Sequence, residues 1–433
     1  MGFQQGLSGL NAASKNLDVI GNNIANSNTV GFKASQAQFA DVFANSLIGA
    51  GGSQVGIGVT VGAVMQQFNQ GNLTVTNNPL DVAINGNGFF RMADNNGTLS
   101  YTRNGQFHLD KNGYIVNDNG LNLTGYPYDP VSKAILSSTP SKLQLSSAEL
   151  QPNPTTLATM GLNLDATSPV IDRTVTAFNP LNAATYTSAT AYTAYDSYGM
   201  AHQVSVYFTR TNPPSPATWE VQQTLDGKYW NGTTYLDPTV TPPTLGAPAV
   251  SIGNLVFKND GTLDQAASTT NGILAAPPYT PGNGAANMAI NLDFTQSTQF
   301  GSPFGVNALS QNGYAAGTLS GFNISDKGVV IGAYTNGQTN TLGQIALANF
   351  TNPQGLQPMG NNQWAETGNS GQPMVGTPGN SNLGVVQAAA VESSNVDLTA
   401  ELVNLITAQR VYQANAQTIQ AQSTVLNTIV NIR

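Results

Sequence analysis

The sequence predicts a multidomain α+β protein in which coiled-coil helices from both chain ends flank two nested, mostly antiparallel β domains. Three observations carry that expectation. Apolar residues step four then three along each end; the middle switches to a period of two with Asn-Gly turns; and between about 147 and 295 proline-bearing loops separate a further set of strand-like runs. The implied division pairs 1–70 with 381–433 as a terminal helical domain with its linker. It pairs 71–146 with 296–380 as a middle β domain and leaves 147–295 as an inserted outer β domain.

Taken in order, the N-terminal stripe connects Phe3, Leu7, Leu10, Ser14, Leu17, Gly21 and Ile24, and the helix over 3–25 stops at Asn26-Ser27-Asn28. A four-three step keeps one helix face against a partner. Within 31–70, Phe32, Phe39, Val42 and Phe43 suggest a short helical patch, followed by a Gly-rich loop from Gly49 to Gly62 and an extended strand. From 71 the strings LDVAINGNGFFRM, TLSYTRNGQFHLD and KNGYIVNDNGLNLTGY alternate around Asn-Gly turns, which predicts antiparallel hairpins. In the inserted region Val204, Val206 and Phe208 face one side of a strand while Gln203, Ser205 and Tyr207 face the other. After 296 the earlier β texture returns, and 367–384 reads as loop.

The C-terminal stripe runs Leu398, Leu402, Leu405, Gln409, Tyr412, Ala416, Ile419, Ser423, Leu426 and Val430. Ser394 followed by Asp397 fits a capping box that starts this helix near Asn395. The candidate self-assembly core is therefore Phe3, Leu7, Leu10, Leu17, Ile24, Leu398, Leu402, Leu405, Tyr412, Ile419, Leu426 and Val430. Isolated helices are marginal in water. The two ends are thus expected to be loose in a single chain and to order when many copies cover both flanks, including Ile20, Val403, Ile406 and Val425.

Composition narrows the function classes. Charged residues are 8% of the 433 positions, against roughly a quarter in ordinary soluble domains. With 40% apolar content this is a folded chain with a polar, uncharged surface, suited to close packing because few ions need desolvation at each contact. A net charge of -8 with 14 scattered Lys and Arg argues against nucleic acid. No run approaches a membrane helix, and the first 30 residues lack the basic start and apolar stretch of a signal peptide.

No catalytic, cofactor or metal site is expected. There is no cysteine, and the two histidines, His108 and His202, each sit in a strand pattern and read as strand residues. The acidic and amide residues of LDKNGYIVNDNG lack the order and closing Glu of an EF-hand loop, so hairpin turns explain them.

Three long motifs add a family. GLSGLNAASKNLDVIGNNIANSNTVGFKAS at the start strongly resembles the N-terminal signature of the bacterial flagellar rod and hook axial proteins. ESSNVDLTAELVNLITAQRVYQANAQTIQAQSTVLNTIVNIR resembles their C-terminal signature, and LDVAINGNGFF with YTRNGQFHLDKNGYIVNDNG is similar to their shared β core. YTSATAYTAYDSYGMAHQVSVYFTRT and GSPFGVNALSQNGYAAGTLSGFNISDKGVVIGAYTNGQ resemble the outer domain of the hook members. The resemblance implies a structural subunit, not an enzyme, that polymerises into the curved tubular hook and acts as a universal joint carrying motor torque from rod to filament. The alternative within the family is a distal rod or hook-associated junction protein. Implied partners are further copies of the chain, the hook cap protein, the distal rod protein, the hook-associated junction proteins and the flagellar export apparatus. Export would proceed without a cleaved signal to an extracellular site. The terminal helices would line the inner tube, with the inserted domain facing outward.

Overall fold

A computed structural model describes residues 2–42, 56–129, 132, 134–136, 139–145, 149–212, 217–245, 248–380 and 382–431. The chain divides into two compact units. The first comprises Met1–Ser147, Ser320–Ala333 and Thr339–Arg433, and the second Ala148–Leu319 with Tyr334–Gln338.

In the first unit, helix α1 (Gly2–Ala25) ends in successive turns over 26–31. Strands β1 (Ser35–Val42) and β2 (Gly58–Gln66) follow as an antiparallel ribbon, paired from Ser35 opposite Gln66 to Val42 opposite Gly58 with a register shift between Gln38 and Phe39. The helical patch expected around Phe32, Phe39 and Val42 is therefore strand from Ser35 onward, and Phe43 lies outside the described residues. Pairing decides it: β2 is rich in β-branched Val59, Thr60, Val61 and Val64, and a cross-strand partner overrides weak local periodicity.

The β core of this unit is an antiparallel set of short strands, with 339–345, 122–129, 89–93, 99–102, 363–365 and 357–360 as successive neighbours. Phe90, Met92, Ile115, Leu123, Val330, Ile345 and Leu347 fill its interior. The turns are built locally: the Asp110 carboxylate accepts from Asn112 N (2.9 Å) and Tyr114 N (2.7 Å), and the Asn117 amide oxygen from Asn119 N and Leu121 N. These side-chain-to-backbone bonds are the turn chemistry of Asx residues. Gly105 is required for a different reason, since a Cβ there would sit 1.6 Å from the Val82 carbonyl oxygen. Two small ladders, 73–75 with 390–392 and 82–85 with 385–388, tie the segment after the ribbon to the segment before helix α2 (Leu398–Asn431).

The second unit packs two sheets. Strand 157–165 pairs in parallel with 291–293 and 298–300, and antiparallel with 305–311. Strands 188–195, 201–212, 217–225, 228–230 and 235–236 form an antiparallel series. Val204, Val206 and Phe208 point into the core with Trp219, Leu292 and Phe294, all of them fully buried. The first compact unit resumes at Ser320, where texture placed the return at about 296. Strands 298–300 and 305–311 belong to the inserted unit because their partner is 157–165, a pairing that local texture does not encode. The terminal helices group with the β core in the first compact unit.

Candidate functional site

Both helices are formed in the single chain and pack on each other as an antiparallel pair, which replaces the expectation of loose ends. Gly6 of α1 faces Ile419 of α2, Gly9 faces Asn415, and Asn23 bonds to Glu401. The ribbon completes the cover: Ser8 Oγ accepts from Val59 N at 3.3 Å, and Gln5 Nε2 donates to the Gly56 carbonyl.

The seam of this pair is offset from the leucine stripe and shares only part of it, through Ile419. On α1 the buried or half-buried contact face is Gly6, Gly9, Ala13, Asn16, Ile20 and Asn23, which itself steps three then four. It lies one residue before Leu7, Leu10, Ser14, Leu17, Gly21 and Ile24, hence about 100° around the helix. On α2 the covered positions are Glu401, Leu405, Ala408, Asn415, Ala416, Ile419 and Gln422, so Leu405, Ala416 and Ile419 of the expected stripe share the covered face while Leu402, Tyr412 and Leu426 stay exposed. Each helix thus carries two stripes side by side. Small and polar residues predominate in the intramolecular contact, joined by Ile20 and Ile419, and exposed apolar residues such as Leu7, Leu402 and Leu426 flank it.

Close approach explains the choice of residues. A Cβ at Gly6 would stand 3.0 Å from Ile419 Cγ1, and one at Gly9 would stand 2.8 Å from Asn415 Oδ1. Buried Asn23 then fixes register: its Nδ2 donates to Ser35 O (2.8 Å) and Glu401 Oε1 (3.1 Å), while its Oδ1 accepts from Ser35 N (2.9 Å). A groove of about 720 Å³ remains between α1, the ribbon and α2, with Ala12, Ala13, Ile20, Phe39, Ala408 and Val411 in its lining.

Of the candidate core residues, Phe3, Leu7, Leu398, Leu402, Tyr412 and Leu426 are between 37% and 54% exposed. Leu10, Leu17, Ile24, Leu405 and Ile419 are half-buried. Val430 lies within α2, but its side chain is outside the described residues. Ile419 is brought against α1, through Gly6. Val403, Ile406 and Val425 add to the uncovered apolar surface. The seam residues Gly6, Gly9, Ala13 and Asn23 were missed because a search for large apolar residues passes over them; their own three-four spacing was the available signal.

The start of α2 also differs from expectation. Asp397 is the cap, its carboxylate accepting from Thr399 N (2.9 Å) and Ala400 N (3.1 Å), while Ser394 Oγ accepts from Val396 N. An Asp N-cap satisfies free helix donors by itself and favours the positive end of the helix.

The histidines lie elsewhere. His108 is exposed, 3.6 Å from exposed Asp118. His202 is buried in the inserted unit between Asp226 (2.7 Å) and Asp196 (3.3 Å), and Tyr279 donates to Asp226. Burial alone would lower its pKa, but hydrogen bonds to Asp226 and Asp196 outweigh that and raise it above 6.5. Among the described residues, no group of three or more His, Cys, Asp or Glu side chains is placed to hold a metal ion. No described helix is long and apolar enough to cross a membrane.

Comparison with known proteins settles the family. Residues 83–157 match the flagellar hook protein FlgE/F/G D1 domain and 163–314 the flagellar basal body protein FlaE D2 domain. Residues 3–33 match the flagella basal body rod protein family, and 387–432 the flagellar basal body rod FlgEFG protein C-terminal family. The flagellar hook protein FlgE of Escherichia coli (strain K12) is 44% identical over 437 residues, covering all of both chains. The chain belongs to the flagellar hook protein family. The Salmonella typhimurium (strain LT2) hook protein is 43% identical, again over the full length of both. The Borreliella burgdorferi one is 32% identical over 99% of this chain and 98% of its own. The crystal structure of the Helicobacter pylori flagellar hook protein FlgE2 shares the fold at a TM-score of 0.51, with 15% identity, over 74% of this chain and all of that one. Members of this family are structural hook subunits rather than enzymes, and the full-length matches favour the hook over the rod.

Proposed function

We propose that this hook-family chain polymerises through the outer stripes of α1 and α2 into the curved tube that links rod to filament as a universal joint. In this reading the twelve candidate core residues form a coiled-coil inner layer between neighbouring copies. The observation that carries it is the row of large apolar side chains left uncovered on both helices. Covering the exposed half of each contributes roughly 1 kcal/mol per side chain. Association alone costs about 4–15 kcal/mol, so single pairs would be weak and a repeated, many-neighbour contact stable. In this proposal the stripe of one copy packs on a different face of the next, a heterologous contact, and such contacts propagate as helical polymers when they do not close.

Division into an inner helical layer, a middle β domain and an outer inserted domain belongs to this proposal. So do export without a cleaved signal, an extracellular location, and contacts with the hook cap, distal rod, hook-associated junction proteins and export apparatus. A surface that is polar but only 8% charged supports sliding between copies through water-bridged hydrogen bonds as the tube turns. Electron microscopy of cells carrying Leu402→Ala with Leu426→Ala tests the assignment. No hooks, with soluble folded subunit, is the expected result; hooks of normal length would overturn it.

A further inference from the structure

Three charged side chains that the assembly reading does not use meet in the dry interior where both helices join the β core. Lys33, eight residues after α1, places Nζ 2.6 Å from Glu392 Oε1, and both side chains have zero exposure. Arg103, from a hairpin of the β core, places Nη1 3.2 Å from Glu392 Oε2. Each cation is anchored a second time: Lys33 Nζ donates to Asn69 O (2.7 Å), and Arg103 Nη2 donates to Gly86 O (2.8 Å). The Arg103 guanidinium also lies 5.4 Å from the centre of the Phe89 ring. Glu392 accepts a third bond from Gly71 N (2.8 Å), and its carbonyl accepts from Gly31 N (2.8 Å).

One carboxylate is therefore gripped by the segment leaving α1, the segment leaving the ribbon, and the β core, six residues before α2 begins. The network continues outward. Asn395 Oδ1 accepts from Ala34 N (2.8 Å), its Nδ2 donates to Gln67 O (2.7 Å), and Asn23 joins α1, the ribbon and Glu401 of α2. Burial pushes the Lys33 and Arg103 pKa values down, with Glu392 acting against that. In a chain with so few charges, two cations and one anion in a dry site are an expensive way to gain stability. What such groups supply is direction, because charge-assisted hydrogen bonds have fixed geometry whereas apolar packing tolerates slip.

We propose that Glu392 is a positioning residue: held by Lys33 and Arg103, it sets the direction in which the paired terminal helices leave the β core. The inference does not depend on the polymer, because it concerns one chain.

The absence of cysteine allows a direct test on the full-length subunit. Spin labels are attached through Lys111→Cys, exposed on the β core, and Gln409→Cys, exposed on α2. The dilute labelled subunit is measured by double electron–electron resonance. A single narrow distance is expected, lost to a broad distribution in Glu392→Gln while helix content and β-core unfolding are kept. A control, Ile115→Val in the β core, lowers the stability of the same unit away from the junction and is expected to stay narrow. A broad parent distribution, or a Glu392→Gln distribution as narrow as the control, overturns the proposal. If Glu392→Gln does not fold, Arg103→Lys decides, since it keeps the charge and loses the fork. Broadening in a folded Arg103→Lys variant supports a positioning role, and an unchanged distance overturns it.

Discussion

The inserted unit and the terminal helix pair handle apolar residues in opposite ways. In the inserted unit Phe208, Trp219 and Phe294 have zero exposure, enclosed between two sheets of the same chain. On the helices, Leu402 and Leu426 remain 46% and 54% exposed beside a seam made of glycine, alanine and asparagine. The first region is complete by itself. The second makes its own contact mainly with small residues and leaves large ones such as Leu402 and Leu426 uncovered. The difference separates folding from assembly on the residue level, so substitutions in the two regions should fail differently.

The largest expected effect is in the inserted unit. Phe208→Ala removes a fully buried ring and should destabilise that unit by about 3–5 kcal/mol, read from its urea unfolding midpoint. On the helices, Leu402→Ala with Leu426→Ala should change monomer stability by no more than about 0.5 kcal/mol per site, yet abolish sedimentable polymer. A loss of several kcal/mol in the monomer would show that the stripe belongs to the fold and erase the contrast.

Smaller effects sharpen it. Gly21 sits on the stripe side of α1, where an added Cβ would meet nothing within 4 Å, whereas Gly6 lies against Ile419. Gly21→Ala should therefore stabilise α1 by roughly 0.5–1 kcal/mol through helix propensity. Gly6→Ala should gain less or lose, because the helices must separate; thermal unfolding of the two variants compares them. The smallest effect is electrostatic. The raised pKa of His202 means its charged form is favoured by folding, through Asp226 and Asp196, beside Tyr279. Its contribution is complete below the ordinary value of 6.5 and is lost as pH rises through the higher folded value. Urea midpoints of the inserted unit across that window should fall in the parent and stay flat in His202→Gln.

Local chemistry was legible in the chain, and long-range pairing was not. The turns at Asp110 and Asn117 use bonds within four residues, so their sequence names them. The alternation of Val204, Val206 and Phe208 named a core face for the same reason. The pairing of strand 305–311 was not legible, because its partner lies about 150 positions earlier and Gly-, Asn- and Ser-rich texture is alike on both sides. The helix seam escaped because its contact residues are the ones usually taken as gaps. Glu392, Lys33 and Arg103 escaped because three isolated charges carry no spacing that relates them.

Single thiols test the central claim, that the leucine stripe is covered by other copies and not by its own chain. The chain has no cysteine, so Leu402→Cys introduces one reactive group, and Val240→Cys, at an 80% exposed site in the inserted unit, provides the reference. Alkylation rates are measured on dilute subunit and on assembled polymer. The thiol at 402 should react at a rate near the reference in the subunit and become strongly protected in the polymer. A thiol at 402 that is protected already in the subunit, or that stays reactive in the polymer, would contradict it.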